Sequence, residues 1–521
     1  MAGEDREDGH GWPTVDEDEQ PAGDGGYPDG VPPAPGQVLP ERIGAPAEEG
    51  PTEEHAPPRG RRRKLVLGSV ALLVVAALAG ALAVPDVSNR LELPWAPNAP
   101  LGPAPEPAAV ERGLLGSDAT AHRPSGAGVT AAIEDAVSDP VLGELTGSVM
   151  DPYTGSVLWE QDADRPLTPA SATKLLTAAA ALLSLDGTTR LSTTVVRGEQ
   201  PGDVVLVGGG DPTLSRAADG EDTFYPGAPR LDELAGQVLD AAGGDVDTVA
   251  VDLSAYTGDT TADGWSSDDV PSTYAAPVVS GMLDGARTEL DEDHPMRHEN
   301  PAGELVTALA ERLDAEIAEP SVVDAAPGAE VLGEVRSVPL TDLLRQMLTA
   351  SDNLLAEAVA RQVAISEGTE PSFEGAAEAT LDVLERAGFD TSGVELHDGS
   401  GLSEHNRIPA RLLAELLAVT AGPLDGDRPV AELRPLLDGL PVAGGDGTLL
   451  ERYAEEPAES ARGWVRAKTG TLSEVNTLAG TVVDQEGRVL VFALMSEGSS
   501  VREGRVALDE IAATLRECGC E

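Results

Sequence analysis

The chain has 521 residues, 41% of them hydrophobic, with 91 acidic against 35 basic side chains and a formal net charge of −56. That apolar content can bury a large core in roughly two to four domains, which excludes a wholly disordered chain. The acidity excludes a nucleic-acid partner, because such binding neutralises phosphates with a basic face. It serves solvation and solubility, with adaptation to a salty medium that screens self-repulsion as the alternative.

Residues 1–58 are rich in Pro, Gly, Asp and Glu and carry almost no aliphatic pattern, which predicts a disordered acidic arm. Arg59 and the run Arg61, Arg62, Arg63, Lys64 then precede the uncharged stretch "LVLGSVALLVVAALAGALAV" at 65–84. Its length suits a helix across a bilayer, so 65–85 is expected to be a transmembrane anchor. The preceding cations keep the arm in the cytoplasm and place everything after the anchor outside the cell, as in a single-pass membrane protein. A cleaved signal ending near Ala81–Ala83, which would leave a secreted protein, is the alternative; the long leader speaks against it. Residues 86–127 read as a Pro/Ala linker.

From residue 128 the pattern is globular. "TAAIEDAVSD" predicts a short helix, and "LTGSVMD" and "SVLWEQD" predict two strands around the turn "PYTG". After Pro169 an unbroken run of helix formers extends to Gly187; it is apolar nearly all round and should be buried. "DVVLVGGGDPTL" predicts a strand entering a glycine turn, and it lacks the spacing of either phosphate-binding glycine loop. Residues 215–335 carry short strand-like pieces and one helix, "ELVTALAERLDAE", and are expected to form an inserted accessory subdomain. "LTDLLRQMLTASDNLLAEAVARQVA" predicts two helices joined at Ser351–Asp352–Asn353. "GWVRAKTGTL", "TLAGTVVD" and "RVLVFALMSE" predict strands, and "REGRVALDEIAATLRE" a final helix. The expected fold is α/β (α+β): an antiparallel sheet flanked by helices, built from 128–214 and 336–521. The two cysteines, Cys518 and Cys520, make no disulfide framework, and a bridge across one residue would be strained. A frayed tail with reactive thiols is expected.

The chain holds 32 arginines but three lysines, Lys64, Lys174 and Lys468. Ser171 and Lys174 lie three positions apart on a helix and share a face. A serine becomes a nucleophile when a base takes its proton, and a buried lysine, or one beside a second cation, can be that base. Arginine cannot lose its proton in this range, which explains a lysine kept here. Lys468, in "RAKTGTL", offers a compact cation that could lower Lys174 by like-charge proximity and attract a carboxylate; the glycine after Thr469 admits a ligand close to the backbone. Ser351 could relay a proton to a leaving amine, and Asn353 could hold Lys174 and a substrate amide. Each motif alone is weak: S-x-x-K recurs by chance, S-D-N is commonly a helix cap, and K-T-G a turn. In this order and together, in a nearly lysine-free chain that is expected to be exported, they resemble the trio of class A β-lactamases and penicillin-binding proteins.

With "PLTPASATKLLTAAAAL", "VGGGDPTL", "ASDNLLAE", "DGSGLSEHNR", "LPVAGGDGTLLER" and "RAKTGTLSEVNTLAG", the chain resembles the low-molecular-mass (class C) penicillin-binding proteins, the D-alanyl-D-alanine carboxypeptidase/endopeptidase type. The resemblance runs over about 128–515. It implies a penicillin-binding, transpeptidase-like domain with an inserted subdomain, and a serine peptidase acting on peptidoglycan stem peptides. Ser171 would attack the D-Ala-D-Ala carbonyl with Lys174 as base, and Ser351, Asn353 and Lys468 would complete the catalytic set. Thr469, Gly470 and Thr471 would bind substrate, with the backbone N–H groups of Ser171 and Thr471 as the oxyanion hole. β-Lactam antibiotics would acylate Ser171, and no metal or cofactor is implied. A β-lactamase on the same fold and a non-catalytic cell-wall-binding scaffold are the alternative functions.

Overall fold

Three of the predicted C-terminal strands and the N-terminal hairpin come together although more than three hundred residues separate them. The computed structural model describes residues 121–292, 294–424 and 428–520. The predicted acidic arm, the anchor at 65–85 and most of the linker lie outside the described residues. Among the described residues no helix is long and apolar enough to cross a membrane.

Helix α1 (Gly126–Val137) is capped by Ser125, whose side chain accepts from the Gly128 N–H, and leads to strands β1 (Glu144–Asp151) and β2 (Ser156–Gln161). Helix α2 (Thr173–Ser184) follows, buried from Thr173 to Leu182 as its all-round apolar sequence requires. Strands β3 (Ser192–Arg197) and β4 (Asp203–Gly208), helix α3 (Leu231–Ala242), strand β5 (Thr248–Asp252), helix α4 (Pro301–Leu313) and strands β6 (Glu316–Val322) and β7 (Val331–Arg336) make up the middle of the chain. Helices α5 (Leu340–Ala350), α6 (Asn353–Glu367), α7 (Phe373–Arg386) and α8 (Ala410–Ala421) come next. Strands β8 (Val465–Leu472), β9 (Val475–Val483) and β10 (Val489–Glu497) and helix α9 (Val501–Glu517) end the chain.

The first sheet has the order β8-β9-β10-β1-β2, antiparallel throughout, with Gly147 opposite Leu494 and Lys468 opposite Ala479. Both of its faces are covered, and the period of two along β10 shows how: Val491, Ala493 and Met495 join a core with α2 and α8, while Leu490, Phe492 and Leu494 join one with α1 and α9. The sheet thus stands between two helical layers, the helix-flanked antiparallel arrangement expected from the sequence.

The second sheet has the order β6-β5-β4-β3-β7 and is mixed: β4, β5 and β6 run parallel, while β3 pairs antiparallel with β4 and β7. Helices α3 and α4 cover one face through Leu231, Leu234, Val238, Leu305 and Leu309. Its strands span 192–336, so it takes in β3 and β4, which precede residue 215.

The C-terminal tail differs from expectation. Cys518 is buried against the core under α9 and is paired with Cys520 in a disulfide. The Ser125 N–H donates to the Cys520 carbonyl at 2.9 Å. The tail is held rather than frayed because the apolar stripe of α9 continues into it.

Candidate active site

Ser171 sits in a single 3-10 turn, Ala170–Ala172, that runs into α2. The turn is entered through Ala170 at φ 46°, a left-handed conformation uncommon for a residue with a Cβ. Gly401 makes this possible from the other side: a Cβ there would stand 1.9 Å from the Ala170 carbonyl oxygen. One turn later Lys174 is fully buried, and its Nζ donates to Ser171 Oγ at 3.0 Å, to Asn353 Oδ1 at 2.6 Å and to the Ser400 carbonyl at 2.6 Å. Burial lowers its amine to about 8, against the opposing pull of Asp398, Glu357 and Asp352.

Lys468 lies on β8, the edge strand of the first sheet, and is also fully buried. Its Nζ donates to Ser351 Oγ and to the Thr469 carbonyl, both at 2.8 Å. Burial, and then the charge of Lys174, hold it well below the ordinary lysine range. Like charges disfavour each other in both directions, so the expected effect of Lys468 on Lys174 and the effect of Lys174 on Lys468 are one interaction.

Ser351 occupies the break between α5 and α6 at φ 58°, and Asn353 is the first residue of α6. Asp352, between them, caps α6 by accepting from the Leu355 N–H. Asn353 also donates through Nδ2 to the Tyr274 carbonyl at 3.2 Å, which ties the middle segment to the cleft. Gly470 brings β8 against the serine turn: a Cβ on it would meet the Pro169 carbonyl oxygen at 2.6 Å. Thr469 Oγ1 donates to Thr448 Oγ1 at 2.8 Å, and Thr471 Oγ1 accepts from the Arg505 guanidinium at 3.1 Å. Ser171, Lys174 and Asn353 are thus joined by hydrogen bonds, Ser351 and Lys468 by another, and Gly470 brings the strand that carries Thr469 and Thr471 against the serine turn.

Sequence reasoning missed the groups behind them. Glu357, fully buried, accepts from the Ser400 N–H at 2.8 Å and from the Gly399 N–H, so it aims the carbonyl that Lys174 uses. Burial raises its carboxyl to about 7. Its position four residues after Asn353, on the same face of α6, was the available signal. Asp398 accepts from the N–H groups of Gly401 and Ser403, from Asn406 Nδ2 and from Trp265 Nε1 at 2.7–2.8 Å, and so fixes the loop that carries Ser400. Asp352 accepts from Arg287 at 2.6 Å and from the Tyr225 hydroxyl at 2.9 Å, with Arg297 at 3.6 Å. Arg505 contributes a guanidinium at the mouth that no motif announced.

Comparison with known proteins agrees with this geometry. The model of the D-Ala-D-Ala carboxypeptidase 3 (S13) family matches residues 129–307 and 292–517. The carboxypeptidase DacB of Mycolicibacterium smegmatis is 45% identical over 473 residues, 89% of this chain and 99% of that protein. The carboxypeptidase Rv3627c of Mycobacterium tuberculosis is 44% identical over 80% of this chain and 90% of its own length. Among solved structures, penicillin-binding protein 4 of Haemophilus influenzae shares the fold, with a TM-score of 0.61 at 19% identity over 73% of this chain and 97% of that one. A matched region that contains the buried lysine pair and both serines, with relatives alike over nearly their full lengths, leads to one conclusion: this chain belongs to the D-Ala-D-Ala carboxypeptidase 3 (S13) family.

Proposed function

We propose that the chain is a serine-type D-Ala-D-Ala carboxypeptidase of cell-wall peptidoglycan that works through an acyl-enzyme on Ser171. The observation that carries this reading is the hydrogen bond from the buried Lys174 amine to Ser171 Oγ. A lysine lowered to about 8 is neutral in an appreciable fraction of molecules near neutral pH, which is the condition for taking a hydroxyl proton.

The stem peptide lies along the free edge of β8, with its terminal carboxylate toward Lys468, Thr469 and Arg505. A carboxylate arriving there favours the Lys468 ammonium, and that charge in turn favours the neutral form of Lys174. Ser171 Oγ attacks the carbonyl carbon of the penultimate D-Ala while its proton passes to Lys174. The carbonyl oxygen takes up negative charge between the N–H groups of Ser171 and Thr471. The C–N bond then breaks, and the proton reaches the leaving amine through Ser351, which accepts from Lys468 in the resting site. Water attacks the ester and frees Ser171. Asn353 holds Lys174 and the substrate amide, and Gly470 keeps room for the peptide backbone. β-Lactams enter by the same path, their ring amide standing in for the scissile bond. The second sheet, with the inserted segment 215–335, forms the accessory part, and the run 65–85 holds the catalytic domain at the outer face of the cell membrane.

Intact-mass measurement with and without benzylpenicillin tests the reading. A persistent one-to-one adduct on the parent protein, absent from Ser171→Ala together with D-Ala release, is the expected result. Release retained in Ser171→Ala overturns the nucleophile, and penicillin hydrolysed without a lasting adduct points instead to a β-lactamase.

A further inference from the structure

Among the described residues, one group of potential metal ligands stands outside the acylation machinery. Asp263 comes from the loop before Trp265, while His397 and His405 flank the turn that contains Asp398 and Ser400. The two rings lie edge to face, centroids 5.5 Å apart, and both direct Nδ1 at the same carboxylate oxygen: Asp263 Oδ2 is 3.2 Å from His397 and 2.8 Å from His405. The three ligand atoms lie within 4.8 Å of one another. Tetrahedral zinc with bonds of about 2.0–2.1 Å needs ligand atoms about 3.3 Å apart, so small side-chain rotations suffice.

The geometry points to a divalent transition-metal site at Asp263, His397 and His405 that clips the middle segment of the chain to the loop behind the lysine cleft. Two imidazoles and one carboxylate form an intermediate-to-hard donor set that suits zinc, nickel or copper over calcium or magnesium, which prefer oxygen alone. The backbone is already shaped for close approach. Gly264, at φ 81°, lies where a Cβ would meet Ser403 Oγ at 2.4 Å and His405 Cγ at 2.9 Å. Ser403 Oγ donates to the Asp263 carbonyl at 2.7 Å, and the Glu404 N–H donates to the Gly264 carbonyl at 3.2 Å. The site is exposed, with Asp263 at 66% and His405 at 55%, so a cation can enter and water can complete its coordination. Its role is structural: Trp265, two residues from Asp263, holds Asp398, and the loop fixed by Asp398 presents the Ser400 carbonyl to Lys174. The clip is independent of the peptidase reading, because it is read out by metal binding.

The full chain, stripped of metal and titrated with zinc chloride in a calorimeter, tests the inference. The parent should show one stoichiometric phase above the weak uptake of its many exposed carboxylates. His405→Ala and Asp263→Ala should each weaken that phase at least tenfold, and zinc should raise the melting temperature of the parent but not of the variants. His405→Gln, which keeps a polar side chain, guards against loss of the fold, with melting of the metal-free protein as the control. A parent with only weak multi-site uptake, or a stoichiometric phase unchanged in His405→Ala, overturns the site.

Discussion

Two clusters of buried charge meet at the short stretch Ser351–Asn353, and they are built on opposite rules. On one side Asp352 is tied to Arg287 and lies near Arg297, and the two guanidinium groups hold its carboxyl far below the ordinary range. On the other side Lys174 and Lys468 are just as deeply buried, yet their direct partners are hydroxyls, an amide oxygen and backbone carbonyls, with no carboxylate in contact. Removing water from a charge is costly, and a nearby counter-ion offsets that cost. The acid has its counter-ions and stays ionised, so it can hold the α5–α6 break in place. The amines have no counter-ion in contact, and burial lowers both, which eases the loss of a proton. Charge held in place by counter-ions lies on one side of the break, and charge that burial makes easy to remove lies on the other.

The contrast can be broken first at Lys174. Lys174→Arg puts a group that cannot be deprotonated where a base is needed, so penicillin acylation of Ser171 should slow by about 10³-fold or more. Stopped-flow acylation rates, with Lys174→Met as the uncharged control, measure the loss, and a variant within tenfold of the parent would remove the base from the scheme. Asp352→Ala attacks the other cluster. It leaves the Arg287 guanidinium buried without its partner and should cost about 3–5 kcal/mol of stability, read from urea unfolding. A loss under 1 kcal/mol would mean that the arginines find other partners. The gentlest probe is pH. With Lys174 lowered to about 8, the neutral fraction grows with pH, so the acylation rate should climb roughly tenfold per unit below that value and level off above it. A flat profile between pH 6 and 8 would assign the proton to another acceptor.

Much of the cleft was legible because its chemistry uses residue types that are scarce in this chain. Lys174 and Lys468 stand out among 32 arginines, and the three-residue spacing to Ser171 needs only helical geometry. The antiparallel sheet was legible as well, since β9 and β10 are continuous β-rich runs between turns. What stayed hidden is what the chain brings together from afar. The Ser400 carbonyl, 226 residues from Lys174, is a backbone atom and leaves no residue-type signature. Arg505 sits on α9 among other polar residues, and only the packing of α9 beside the edge of β8 turns it toward Thr471. The pairing of the second sheet is hidden in the same way, because β3 and β4 find their outer neighbours β7 and β5 40 residues or more beyond them.

The burial of both lysines within the described residues also determines how the surface reacts. Strained lactams and activated esters acylate primary amines as well as serine hydroxyls, and most proteins present many such amines to solvent. Over its described surface this protein presents none from lysine side chains, while guanidinium groups, which stay protonated, are poor nucleophiles. An electrophile that meets the folded domain is therefore steered toward the cleft, and amine labelling at Lys174 or Lys468 becomes a reporter of unfolding.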